Sequence, residues 1–273
     1  MDGKQIRLDR FFSRGKAVVV AADHGMHEGP LPGLIDLPKA MLAVDEQADA
    51  VLLAPGMLAY CAKTFNYRGG PLAIARINWS SIFAFTWGYK EGANSVVVEP
   101  EEAVAMGADM VLVQLTLKTG CEETDARNVE VFSRLCAKAH KLGIPVVGEY
   151  FPPDSPHVSA DELHDQVYRG VRIISELGAD IIKTYYVDDF EKVVETCPVP
   201  VVIAGGKKIP EREALEMASS AISAGASGVD MGRNIFQSDD PVAMIQAVRS
   251  VVHENATVDD ALALYESLKA GVA

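Results

Sequence analysis

Short, uninterrupted apolar runs recur along the chain, at 17–21, 47–53, 71–75, 107–113, 144–148, 178–182, 199–204 and 225–231. Runs of this length, rich in Val and Ile and without polar alternation, are the pattern of parallel strands buried on both faces. Gln47-Ala48-Asp49, Gly107-Ala108-Asp109, Gly178-Ala179-Asp180 and Gly225-Ala226-Ser227 open four of them with the same kind of lead. Such a lead is a helix end that feeds a strand through a tight loop, and Gly107, Gly178 and Gly225 supply the left-handed residue that the turn needs.

Amphipathic stretches fill the intervals, at about 38–47, 57–64, 100–107, 123–142, 160–178, 188–196, 211–225 and 239–254, with a tail helix near 258–269. Buried strands alternating with helices over this length predict an α/β chain of the (β/α)8 TIM-barrel class, a single domain over 1–273. Neither GxGxxG nor GxxxxGK[ST] occurs, which weighs against an open nucleotide-binding sheet. In a barrel the stretches 25–37 and 148–159 become loops at the carboxyl ends of the first and fifth strands, where chemistry sits. The segment 77–98, with Asn78-Trp79-Ser80-Ser81 and Trp87-Gly88-Tyr89-Lys90, reads as a long irregular loop, a candidate lid or subunit contact.

Composition narrows the function. With 273 residues, 49% of them hydrophobic, the chain can bury a large core. A formal charge of −13 argues against a nucleic-acid partner or an anionic membrane surface, and it requires local donors to hold any phosphorylated substrate. Four cysteines, Cys61, Cys121, Cys136 and Cys197, show no CxxC spacing and fit free thiols in a reducing compartment. The opening MDGKQIRLDR lacks the apolar run of a signal peptide, and no stretch approaches the ~18 apolar residues of a membrane span. A soluble, cytoplasmic protein is expected.

Candidate chemistry lies at the strand ends. In Ala179-Asp180-Ile181-Ile182-Lys183-Thr184-Tyr185-Tyr186 the period of two puts Ile181 and Lys183 on one face and Ile182 on the other. Burial there lowers the amine's pKa and suits a Schiff-base nucleophile; the alternative is a lysine that snorkels and pairs with Asp180 or Asp188. Asp23 ends the first strand as a base or hydroxyl-orienting group, or as a loop cap. His24 and His27, with Glu28, form an HxxH pair that would bind metal only with a further ligand, and no other histidine falls at a strand end. Arg76 ends the third strand and either grips an anionic substrate or pairs with a surface carboxylate. Tyr150, in Gly148-Glu149-Tyr150-Phe151-Pro152-Pro153, is a proton donor or a packing residue. The seventh and eighth strands end in Gly205-Gly206-Lys207-Lys208 and Gly232-Arg233, the rim position at which barrels commonly bind phosphate.

AADHGMHEGP, ADIIKTYY, IAGGKK and GVDMGRNIFQ together resemble the DhnA-type class I aldolases over essentially the whole chain. That group includes archaeal-type fructose-1,6-bisphosphate aldolases, aminodideoxyheptulosonate synthases and the thiolase of phosphorylated autoinducer-2. The resemblance implies a (β/α)8 barrel, a Schiff-base mechanism without metal or other cofactor, and ring-forming homo-oligomers. It assigns Lys183 as the Schiff-base lysine and Asp23 as its acid–base partner, with Gly205, Gly206, Gly232 and Arg233 at the phosphate. The aldolases carry a catalytic tyrosine followed by Pro-Arg-Gly after strand five; matching by the proline puts Phe151 in its place, whereas matching by residue type selects Tyr150, which is taken as the catalytic tyrosine. Cleavage of fructose 1,6-bisphosphate is the leading expectation. The alternatives are acetyl transfer from a phosphorylated diketone to coenzyme A, the reaction of the thiolase that the run 178–255 most resembles, a likeness that does not decide the reaction, and a sugar-phosphate binding barrel without chemistry.

Overall fold

A computed structural model of the chain describes residues 3–271 apart from 154 and 156. Its strands are β1 (Ala17–Ala21), β2 (Ala50–Leu53), β3 (Leu72–Arg76), β4 (Asn78–Ser80), β5 (Asn94–Val96), β6 (Met110–Leu115), β7 (Val146–Tyr150), β8 (Ile181–Tyr185), β9 (Val201–Ala204) and β10 (Gly228–Met231). Eight of them close a parallel barrel in the order β1-β10-β9-β8-β7-β6-β3-β2, the predicted (β/α)8 class, while β4 and β5 pair separately. The helices are α1 (Gly3–Phe11), α2 (Gly25–Glu28), α3 (Leu37–Ala40), α4 (Pro100–Ala105), α5 (Glu122–Lys141), α6 (Ala160–Glu176), α7 (Phe190–Thr196), α8 (Glu211–Ser223), α9 (Arg233–Phe236), α10 (Pro241–Glu254) and α11 (Val258–Lys269).

The period of two sorts the strand residues into two cores. Val19, Leu52, Ile74, Leu112, Val147, Ile181 and Val202 fill the barrel, and Val18, Val20, Val51, Val113, Ile182, Ile203 and Val229 meet the helices. Each fully buried Val, Leu or Ile contributes about 1.5–3 kcal/mol of transfer free energy. Gly107, Gly178 and Gly225 hold positive φ before their strands, as the repeated lead predicts.

That repeated lead has a second use. Oδ2 of Asp49, Asp109 and Asp180 accepts a hydrogen bond from the backbone N–H of Val18, Ala73 and Val146, each on the neighbouring strand. The chain's opening, for which the sequence pattern predicts no element, is helix α1; it supplies Lys4 to Asp180 and Arg10 to Asp109, and Arg14 just beyond it reaches Asp49. Phe11 ends α1 inside the barrel's own core, so this helix stoppers the amino-terminal face.

Two predicted helices are shorter than expected. The stretch 38–47 holds only α3 and a 3₁₀ turn at Met41–Ala43, and 57–64 only 3₁₀ turns at Pro55–Met57 and Ala62–Thr64. Apolar spacing suggested helices, but Pro55 and Gly56, with Gly69 and Gly70, set turn geometry. The 77–98 segment is likewise not irregular: β4 pairs antiparallel with β5. Asn78 and Asn94 clamp this hairpin by donating from Nδ2 to the carbonyl of Gln114, at 2.7 and 2.9 Å. Among the described residues no helix is long and apolar enough to cross a membrane.

Candidate active site

A cavity opens at the carboxyl end of the barrel, lined by residues from the ends of β1, β3, β7, β8, β9 and β10. Lys183 stands at its centre. The lysine is third in β8, so it follows Ile181 on the inward face. Its register partner on β7 is Glu149, whose Oε1 lies 3.2 Å from the ammonium, and Asp230 of β10 places Oδ2 at 3.1 Å. Across the barrel Arg76 binds Asp23 through Nε and Glu149 through a second nitrogen at 2.7 Å. All five groups are buried: Asp23, Arg76, Glu149, Lys183 and Asp230.

The electrostatics overturn one expectation. Burial disfavours the charge on Lys183, as the sequence predicts, but Asp230, Glu149 and Asp23 outweigh it and hold the pKa above the usual lysine value. The amine therefore rests protonated. Burial raises Asp230 to about 6 despite the neighbouring ammonium, so it is the most basic carboxylate beside the lysine for which a shift is resolved. Asp23 is buried too, but Arg76, Lys183 and His24 hold it well below the usual carboxylate range. Arg76 is pushed up by Asp23 and Glu149 against its own desolvation, so it is a fixed cation. Arg76 pairs, as one of its two readings has it, although its carboxylate partners are buried rather than on the surface.

The glycine loops meet at one side of the cavity. Gly205, Gly206, Gly232 and Arg233 all line it, and Arg233 Nε is buried with no hydrogen-bond partner. A Cβ on Gly232 would stand 2.4 Å from His24 Cε1 and 2.6 Å from the carbonyl oxygen of Ala21, so only glycine lets this loop close on the end of β1. Asn234 ties the two glycine loops by donating from Nδ2 to the Gly205 carbonyl at 2.6 Å and accepting from Ile209 N–H at 2.9 Å. Nothing in the sequence singled it out. Lys208 turns away to Glu211, at 2.6 Å, and Lys207 is exposed over an adjoining groove, so neither joins Arg233 in the cavity.

Tyr150 is not at the site. As the residue after Glu149 it points outward, where its ring packs on Gly170 of α6; a Cβ at Gly170 would fall 2.0 Å from the tyrosine's Cε1. Burial pushes the phenol up to about 12. Phe151, the next inward residue, faces the cavity and stacks on Tyr185 with ring centroids 4.3 Å apart. Matching by the proline was thus the geometrically correct choice. His24 and His27 also line the cavity, both neutral, with burial depressing them to about 4 and about 3. Among the described residues no three or more His, Cys, Asp or Glu side chains converge as a metal site.

A parallel barrel with a buried lysine set among carboxylates, beside a two-loop glycine cradle, has the equipment of an aldolase-class barrel. The family model described as "DeoC/LacD family aldolase" matches residues 17–238, and the chain belongs to this family. Among curated relatives, the 3-hydroxy-5-phosphonooxypentane-2,4-dione thiolase of Escherichia coli (strain K12) is 41% identical over 272 residues, covering 98% of this chain and 88% of that one. The enzyme of the same name from Yersinia pestis (strain Pestoides F) is 38% identical over 269 residues, 97% of this chain and 86% of that one. Among solved structures, an archaeal fructose 1,6-bisphosphate aldolase superposes with a TM-score of 0.79 at 27% identity, over 93% of this chain and 100% of that chain. These likenesses bear out the resemblance to DhnA-type aldolases and define an enzyme acting on carbon–carbon bonds.

Proposed function

We propose that the protein cleaves a phosphorylated 2,4-diketone through a Schiff base on Lys183 and passes the released acyl group to a thiol, that of coenzyme A. The observation that carries this reading over the expected aldol cleavage is the identity of the inward residue after Glu149. Retro-aldol cleavage needs a base for the hydroxyl on the carbon that becomes an aldehyde, and a strand-five tyrosine suits that task. Here that position presents Phe151, which has no proton to exchange. Thiolytic cleavage needs no such base, because the thiol itself attacks the carbonyl. The thiolase relatives, at 38–41% identity, support the same choice.

In this scheme Asp230 takes a proton from Lys183, whose amine adds to the ketone next to the phosphorylated carbon; water leaves and an iminium remains. The thiol sulfur bonds to the other carbonyl carbon, the bond between that carbon and the hydroxylated carbon breaks, and its electron pair flows into the iminium nitrogen. The resulting enamine takes up a proton, and hydrolysis frees the lysine and a phosphorylated hydroxyketone. Asp23, held by Arg76, accepts a hydrogen bond from the substrate hydroxyl. Gly205, Gly206, Gly232 and Arg233 bind the phosphate.

The test is borohydride reduction with 3-hydroxy-5-phosphonooxypentane-2,4-dione, followed by mass spectrometry of the Lys183 peptide and an assay for acetyl-coenzyme A. An adduct on Lys183 and thiol-dependent turnover are expected. An unmodified Lys183 would sink the Schiff base, whereas an adduct without thioester formation would restore fructose 1,6-bisphosphate cleavage, for which the archaeal aldolase likeness speaks.

A further inference from the structure

His27 takes no part in the scheme above, yet it is built into the cavity wall. It is 7% exposed, lines the same cavity as Lys183 and Phe151, and neither of its ring nitrogens has a hydrogen-bond partner. Buried polar atoms are nearly always paired, so a ring with neither nitrogen paired is a candidate point of contact for a ligand. The two histidines of the AADHGMHEGP stretch lean to different sides. His24 packs on Phe236 of α9, 5.3 Å between ring centroids, and against Gly232, beside the phosphate loops. His27 packs on Phe83 at 5.2 Å and Trp79 at 6.1 Å, beneath the β4–β5 hairpin. Phe83 in turn meets Phe151 at 5.8 Å, so His27 belongs to the aromatic side of the cavity, away from the glycine cradle.

That side is where the acyl fragment lies if the phosphate occupies the glycine loops and the ketone next to it sits on Lys183. Burial and the nearby Arg76 cation keep the imidazole neutral, with one nitrogen a proton acceptor and the other a donor. A thiol is a weak nucleophile until it loses its proton, and Asp23, Glu149 and Asp230 are already engaged by Arg76 and Lys183. We infer that His27 is the catalytic base for the acceptor thiol, an inference that rests on the acyl-transfer reading. The S–H proton passes to the free imidazole nitrogen as sulfur bonds to the acyl carbon. The carbon–carbon bond then breaks toward the iminium, and the imidazolium returns its proton to solvent while the enamine carbon takes one up, which closes the proton count.

The test compares wild type with His27→Asn and His27→Ala in two half-reactions. One is borohydride trapping of Lys183 by dihydroxyacetone phosphate, which needs no thiol; the other is acetyl-thioester formation from the phosphorylated diketone and coenzyme A. Thioester formation is expected to fall about 100-fold or more in both variants while trapping is unchanged, as for loss of a general base. Added imidazole should restore part of the His27→Ala rate. The deficit should shrink with a more acidic thiol, which is already a thiolate. Thioester formation within threefold of wild type in His27→Asn, or a parallel loss of trapping, would overturn the assignment. A wild-type protein that is trapped by dihydroxyacetone phosphate but forms no thioester would instead remove the acyl-transfer reading, and the role of His27 with it.

Discussion

Lys183 holds its ammonium 3.1 Å from Oδ2 of Asp230, on strands that β9 separates. The pair defines which proton must move before chemistry starts. Since Lys183 is held protonated and Asp230 ionises only at about 6, the carboxylate accepts the lysine proton while it is charged. The expected kcat/KM therefore falls as pH drops through about 6. Asp230→Asn should lower kcat/KM by about 10²–10³ and remove that acid limb. A pH profile unchanged in shape would dismiss Asp230 as the acceptor.

The same buried cluster makes stability depend on pH. Replacing Lys183 by Met leaves Glu149 and Asp230 without their shared cation, and breaking a buried ion pair costs about 3–5 kcal/mol. A carboxyl whose folded pKa is raised binds its proton more tightly when folded, so raising the pH from the unfolded value through the folded one reduces stability. Lys183→Met should accordingly unfold at lower urea than wild type at pH 7.5 and recover part of the deficit at pH 5.5. A deficit that stays constant across this window would show that Asp230 does not take up the proton.

The outward and inward neighbours of strand β7 separate cleanly by mutation. Tyr150→Phe keeps the ring that fills the space over Gly170 and should leave turnover within about twofold, as expected of a substitution remote from the chemistry. Phe151→Tyr places a phenol in the cavity beside Tyr185 and should create measurable cleavage of fructose 1,6-bisphosphate. Steady-state kinetics on both substrates would decide. Loss of activity in Tyr150→Phe would contradict the geometry.

This contrast also marks what could be read without coordinates. Period-two alternation puts Ile181 and Lys183 on one face, which the structure turns inward, and the same rule groups Val147, Glu149 and Phe151 as the inward set at β7. Matching by residue type drew Tyr150 in instead. Asp230 was passed over because it sits in Gly228-Val229-Asp230-Met231, where the flanking glycines attract notice and a lone carboxylate in a strand has no visible partner. Arg76 meets Asp23 and Glu149 at separations of 53 and 73 residues, and no local pattern encodes a contact of that span. The barrel class and the glycine loops at its rim, by contrast, follow from repeated local signals.

Arg233 offers the phosphate side for measurement. It lines the cavity with an unpartnered Nε, and if it binds the phosphate as proposed, a charge-assisted hydrogen bond contributes ~1.5–3 kcal/mol, so Arg233→Ala should raise KM for the phosphorylated substrate about 10- to 100-fold. The effect on kcat should be smaller. Gly232→Ala should be worse than Arg233→Ala, since its methyl group meets the rigid Ala21 carbonyl, 2.6 Å from where the Cβ would sit. Equal KM values for wild type and Arg233→Ala would place the anion elsewhere.

The stopper at the other end of the barrel has a consequence for how the chain is made. Helix α1 precedes every strand of the barrel, but Lys4 finds its carboxylate on Asp180, 176 residues later, and Arg10 and Arg14 await Asp109 and Asp49. A helix synthesised before the strands it caps is thus among the last elements able to dock completely. A nascent chain cut short before Asp180 lacks that carboxylate and leaves Lys4 of α1 without it, so α1 acts as a seal applied only to a finished barrel.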